Sequence, residues 1–198
     1  MLQCRKRTHP AGWCNMTTAR KLMTADELML LPDNGDRQEL VRGELIEMPP
    51  PGKKHGEVTM GFGAALYNYS AANDYGMVGD NYGYHLESDP DTVRAPDVAW
   101  YSPGHSAELT DGYPEQAPDL AVEIKSPSDT PSMVAERAQM WLDFGSREVW
   151  YGDPETTTVI RYRPGQQPEV LTEDDVLDGG DLLPGFSIEV WRLFRRHR

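Results

Sequence analysis

The segment Leu120-Ala-Val-Glu-Ile-Lys125 constrains this chain more than any other, because it sets a glutamate inside an otherwise apolar run. Valine, isoleucine and leucine in a short stretch, broken by Ser126-Pro-Ser-Asp129, favour an extended strand. Side chains alternate along a strand, so Glu123 and Lys125 are expected on one face. A related place lies upstream, where Asp97 follows Pro96 and leads into the apolar Val98-Ala-Trp-Tyr101. If the two strands are neighbours, two carboxylates and one ammonium converge on one spot.

The rest of the chain supplies elements to hold such a pair. Thr24, with Glu27 three residues on, makes a capping-box pattern for a small helix carrying Leu28 and Leu31. Arg37–Val41 and Glu44–Met48 read as a hairpin around Arg42-Gly43, ended by Pro49-Pro-Pro-Gly52. From about Lys54 to Asn73, Val58, Phe62, Ala65, Leu66 and Tyr69 recur at helical spacing, and Gly61 and Gly63 permit close packing at some cost in propensity. Val134 to Phe144 resumes helical character and Gly145 is placed to stop it. Three strand candidates follow, at 148–151, 156–162 and 169–171, consistent with a meander. Trp141, Trp150 and Tyr151 are expected in the core. Residues 1–21 have no periodic apolar pattern and are expected to form a loose arm before a single domain over 22–198, with Met16 or Met23 as an alternative start.

Composition narrows the function classes. A length of 198 residues suits one core. No run approaches the roughly 20 apolar residues that span a bilayer, and no signal-peptide pattern opens the chain, so a cytoplasmic protein without membrane contact is expected. The only cysteines, Cys4 and Cys14, give no disulfide framework, and with His9 they fall one ligand short of a structural zinc site. The net charge of −13, from 19 Lys and Arg against 32 Asp and Glu, argues against a strong general DNA binder. It leaves room for metal chemistry, since clustered carboxylates are what a divalent cation needs and the bound ion reverses the local field.

Asp97, Glu123 and the main-chain carbonyl of Ile124 can hold Mg²⁺ or Mn²⁺, with water completing the shell. The ion activates a bound water and stabilises charge on a phosphodiester, while Lys125 can position or deprotonate the nucleophile. The plain alternative is that Glu123 and Lys125 form the polar face of a half-exposed strand and that Asp97 ends a turn.

In order, Glu39-Leu-Val-Arg-Gly-Glu44, His55, Ala95-Pro-Asp-Val98, Pro118-Asp-Leu-Ala-Val-Glu-Ile-Lys-Ser-Pro-Ser128 and Glu148-Val-Trp-Tyr-Gly-Asp-Pro154 resemble the Uma family of restriction endonucleases, placed in the PD-(D/E)XK nuclease superfamily. The resemblance runs from about Thr24 to Phe194. It implies an α/β (α+β) fold with a restriction-endonuclease-like core, a mixed β-sheet flanked by helices and an N-terminal hairpin. It also implies that Asp97 is the Asp of the Pro-Asp motif, Glu123 the acidic residue and Lys125 the lysine. Glu44, Glu39 and His55 match further polar positions: Glu44 as a possible third metal carboxylate, with Glu39 on the preceding strand, and His55 as an orienting group or helix cap. Gln139 resembles a polar position of related nucleases. Many relatives have an apolar residue at the Lys125 position and a lysine in the following helix, where this chain has Arg137, and Met133 replaces an Asp usual earlier in that helix. An arginine stays protonated and cannot act as a base, so any lysine function falls to Lys125.

Three functions follow as expectations. The first is a Mg²⁺- or Mn²⁺-dependent DNA endonuclease acting as a homodimer. The second is a catalytically inactive nuclease-fold interaction module, and the third a hydrolase of a smaller phosphate substrate. The arginines at 192, 195, 196 and 198 could contact phosphate but read more simply as a solvated tail.

Overall fold

The computed structural model describes residues 21–80, 82–105 and 112–194. The Cys4, His9 and Cys14 group, most of the expected arm and the arginines at 195, 196 and 198 lie outside them.

Local sequence signals place the first elements. Thr24 caps helix α1 (Ala25–Met29) and Glu27 returns a bond to the Thr24 N–H, so both halves of the capping box form. Strands β1 (Arg37–Val41) and β2 (Glu44–Met48) pair in antiparallel register about a two-residue turn. Arg42 and Gly43 both adopt positive φ there, the conformation that matches the twist of a hairpin. Helix α2 (Lys53–Asn73) follows, then β3 (Met77–Asp80) and β4 (Tyr84–Glu87). The segment around Pro96 divides into two strands, β5 (Thr92–Arg94) and β6 (Val98–Tyr101), which join different sheets. Ala95, Pro96 and Asp97 are the passage between the sheets.

Strand β7 (Leu120–Ile124) leads through α3 (Pro131–Asp143) to β8 (Glu148–Asp153), and this pair alone among the described ladders is parallel. Parallel neighbours need such a crossover. Helix α3 starts three residues earlier than its apolar pattern suggested, because Pro131 opens it and the Thr130 hydroxyl caps it. Strands β9 (Thr158–Tyr162) and β10 (Glu169–Leu171) complete the expected meander. A small ribbon of β11 (Val176–Asp178) and β12 (Ser187–Glu189) precedes α4 (Val190–Leu193).

The main sheet runs β10-β9-β8-β7-β6-β3 and a second runs β2-β1-β5-β4. Alternation along β7 sorts the two cores. Leu120, Val122 and Ile124 pack with Phe62 and Leu66 of α2, whereas Ala121 packs with Ala138 and Trp141 of α3. Trp141, Trp150 and Tyr151 are buried as expected. Gly61 is where α2 meets α4, since a Cβ there would lie 2.2 Å from the Leu193 carbonyl oxygen. Gly63 has ordinary room, its nearest neighbour being Val98 at 3.8 Å.

Candidate active site

Glu123 belongs by alternation to the α3 face of the main sheet, opposite the apolar face that carries Val122 and Ile124. The antiparallel register pairs Val98 with Val122. Extended by one residue, the same register sets Asp97 opposite Glu123. The two carboxylates therefore meet at the end of a strand pair although 26 residues separate them in sequence. Both line one cavity of about 340 Å³, together with Arg37, His55, Arg94 and Arg137. Met48, Met133, Met140 and Tyr151 supply its apolar part.

Each carboxylate is held by donors. Asp97 Oδ1 accepts from Arg37 Nη1 at 3.1 Å, and Oδ2 accepts from the Ile124 N–H at 2.7 Å with His55 Nε2 at 3.3 Å. Glu123 Oε1 accepts from Arg137 Nε and from Trp141 Nε1, both at 2.7 Å. Burial alone would raise the pKa of Asp97, but the His55 hydrogen bond, the charges of His55 and Arg37 and the Ile124 N–H outweigh it and hold the carboxyl below its ordinary value. Burial also raises Glu123; Arg137 opposes the rise, the Asp97 charge adds to it, and the balance stays above the ordinary value. Two adjacent carboxyl groups with opposite shifts are a common arrangement where proton transfer occurs.

His55 occupies the third position of α2, within reach of Asp97. Burial lowers its pKa, yet the Asp97 hydrogen bond and charge, with a backbone bond to Ile124, carry it above the ordinary histidine value. The main chain of Ile124 thus serves Asp97 through its N–H and His55 through a second bond.

The expected convergence of Lys125 with the acidic pair does not occur. Strand β7 ends at Ile124, and the Lys125 ammonium is 2.8 Å from Asp153 Oδ2 at the end of the neighbouring β8. Lys125 is not among the cavity's lining residues. The cation on Glu123 is Arg137, which α3 projects back onto it, while Asp97 has Arg37 and His55.

Glu39 is buried beneath the site at 1% exposure and does not line the cavity. Its Oε1 accepts from the Ala95 N–H and from Arg137 Nη2, each at 3.2 Å. Arg37 Nη2 lies 2.9 Å from Oε1 and Arg94 Nη1 lies 3.0 Å from Oε2. Burial would raise the Glu39 carboxyl, and the charges of Arg137, Arg94 and Arg37 bring it below its ordinary value. Glu44 stands exposed on β2, outside the cavity. Gln139 bonds Asp143 one turn along α3. Sequence reasoning missed Arg37 and Arg94; the available signal was their position flanking Glu39 and Asp97, two sites already suspect.

A family described as "Uma2: Putative restriction endonuclease" matches residues 25–191 of this chain. The chain also resembles a crystal structure described as a putative nuclease belonging to DUF820 from Anabaena variabilis, with 22% sequence identity and a TM-score of 0.74 over 87% of this chain and 97% of that one. That likeness shows the shared fold. A search of curated proteins finds no match.

Proposed function

The chain belongs to the Uma2 family of restriction-endonuclease-like proteins, and from that premise we propose that it is a divalent-metal-dependent DNA endonuclease working at the Asp97–Glu123 cavity. The observation that carries this reading is the meeting of two buried carboxylates, one on β7 and one in the passage that leads into the neighbouring β6, in one open cavity lined by arginines.

The donor set suits Mg²⁺ or Mn²⁺, which prefer carboxylate and carbonyl oxygens. Asp97 and Glu123 would hold the ion, and because both bonds to Glu123 fall on Oε1 they leave Oε2 for it. Among the described residues no group of three or more His, Cys, Asp or Glu side chains is gathered for a metal, so water, the Ile124 carbonyl and substrate oxygens would complete the shell. When bound, the ion supplies an activated water and charge stabilisation at phosphorus.

The remaining steps belong to the protein. Arg137 orients Glu123 and, always protonated, donates hydrogen bonds without accepting a proton. His55 orients Asp97 and, with its raised pKa, can give a proton to a leaving oxygen near neutral pH. Lys125 would have to leave Asp153 before it could take part. A homodimer that cuts both strands belongs to the same proposal, and sedimentation with and without DNA tests it.

Titration of Mg²⁺ or Mn²⁺ into the protein, followed by plasmid cleavage, tests the reading. Metal binding and cleavage that both vanish in Asp97→Ala and Glu123→Ala support it; cleavage that persists in both variants refutes the site.

One observation favours a second reading, a catalytically inactive interaction module. Asp97, Glu123 and Glu39 already have internal cations in Arg37, His55, Arg94 and Arg137. A protein that binds no divalent ion even with DNA present would establish that reading over the first.

A further inference from the structure

The arginines around Glu39 are not equally committed. Arg137 spends Nε on Glu123 and Nη2 on Glu39 and the Ala95 carbonyl. Arg37 makes one hydrogen bond, from Nη1 to Asp97, while its Nε and Nη2 are buried without a hydrogen-bond partner. Arg94 makes no side-chain hydrogen bond among the described residues, and its Nε is likewise buried and unpartnered. The approaches of Arg37 Nη2 to Glu39 Oε1 and of Arg94 Nη1 to Glu39 Oε2 are ion contacts without hydrogen-bond geometry, since Arg37 Nη2 in the first and Glu39 Oε2 in the second lack a hydrogen bond. Glu39 therefore anchors both guanidinium groups by charge and leaves their directional donors uncommitted. Buried donors are nearly always satisfied in folded proteins, so Arg37 Nε and Arg94 Nε, which have neither a hydrogen bond nor a carboxylate contact among the described residues, mark a place where an acceptor is missing.

Both side chains line the acidic cavity, and both also line the adjoining cavity of about 470 Å³ beside β1, so they form the wall between the two. Burial and the neighbouring arginine charges lower the Arg94 pKa against the pull of Glu39 and Glu123, a repulsion that an anion would relieve. The planar fork of a guanidinium matches two oxygens of a phosphate.

We propose that Arg37 and Arg94, held in place by Glu39, form a phosphate-binding subsite beside the acidic pair, taking the nonbridging oxygens of a DNA backbone phosphate. The inference rests on the nuclease reading for its substrate and assigns Glu39 as a positioning residue. Asp129 and Glu136 also line the cavity, so the site recognises phosphate through directed donors in a setting that is not basic overall. Its salt dependence is accordingly small, reflecting one or two phosphates.

The test is fluorescence anisotropy of a short labelled DNA duplex with the full chain in EDTA, repeated over a range of salt. Arg37→Gln and Arg94→Gln should each weaken binding about tenfold, and each should lower the salt slope by about one. Arg37→Lys and Arg94→Lys keep the counter-charge to Glu39 and lose the fork, so they should weaken binding with little change in slope; they serve if the glutamine variants fail to fold. Glu39→Gln should weaken binding in the same way without touching DNA, and restoring the charge with Glu39→Asp should recover part of it. Folded arginine variants that bind like wild type, or a wild type that binds no DNA, would overturn the proposal. Asp97→Asn separates the two readings: retained binding with lost cleavage supports both. Binding that needs the arginines while the wild type never cleaves keeps the subsite and removes the nuclease activity.

Discussion

The protein contains two buried clusters of the same composition. In one, Glu123 Oε1 meets Arg137 Nε and Trp141 Nε1, both at 2.7 Å. In the other, Glu148 Oε1 meets Arg161 Nε at 2.6 Å and Trp150 Nε1 at 2.9 Å. Burial raises both glutamates, with the arginine pulling each back. They differ in what stands opposite. Glu123 faces a second buried carboxylate and an open cavity, whereas Glu148 is joined through Arg161 to Glu169 and Asp178 and stays clear of that cavity. A buried ion pair is thus no mark of a site. What distinguishes the first cluster is that its second carboxylate is itself buried and shares an open cavity with the first, whereas Glu169 and Asp178 are well exposed.

The comparison can be broken most sharply by function. Asp97→Ala or Glu123→Ala should lower DNA cleavage on the order of a thousandfold, while Glu148→Ala should leave the rate per folded molecule unchanged; equal losses in a plasmid assay would erase the distinction. Glu148→Ala should instead cost about 3–5 kcal/mol of stability in urea unfolding, since it leaves Arg161 buried without its main partner. Trp141→Phe and Trp150→Phe should each cost about 1–3 kcal/mol by removing one indole donor, and only the former should alter divalent-ion affinity measured by calorimetry.

Two smaller effects sharpen the picture of the cavity. His55 has a raised folded pKa, so its contribution to stability is complete below the unfolded value of about 6.5 and is lost as pH rises through the folded value. Wild type should therefore lose stability relative to His55→Gln as pH rises from about 6.5, and parallel pH profiles of the two would sink the assignment. Lys125→Met should have the least effect, under about 1 kcal/mol because its pair with Asp153 is partly exposed, and less than about tenfold in cleavage. A far larger fall in cleavage would mean that Lys125 leaves Asp153 to act.

Much of the fold was legible because its causes are local. The Thr24 capping box, the Arg42-Gly43 turn, the α2 periodicity and the stop at Gly145 each depend on residues within one or two turns of chain. The acidic pair was legible too, since a carboxylate inside an apolar strand, as at Glu123, or at the head of one, as at Asp97, is costly to bury unless compensated. The division of the segment at Pro96 between two sheets was not legible, because both halves look equally extended. Nor was the setting of Glu39, which reads as an ordinary hairpin glutamate until three arginines from β1, β5 and α3 are brought around it.

The sequence by itself determined the first helix, the hairpin, α2, β7 and the meander, and which carboxylates would be set among apolar neighbours. Only the tertiary structure decided which cation each carboxylate meets. Lys125 is two residues from Glu123 yet binds Asp153, while Arg137 comes from the next helix and joins Glu123 to Glu39, 98 residues away. The physical reason is that a strand's period fixes the face of a side chain only while the strand continues. Beyond its end, long flexible cations are captured by whichever buried charge the packing of sheet and helix brings nearest.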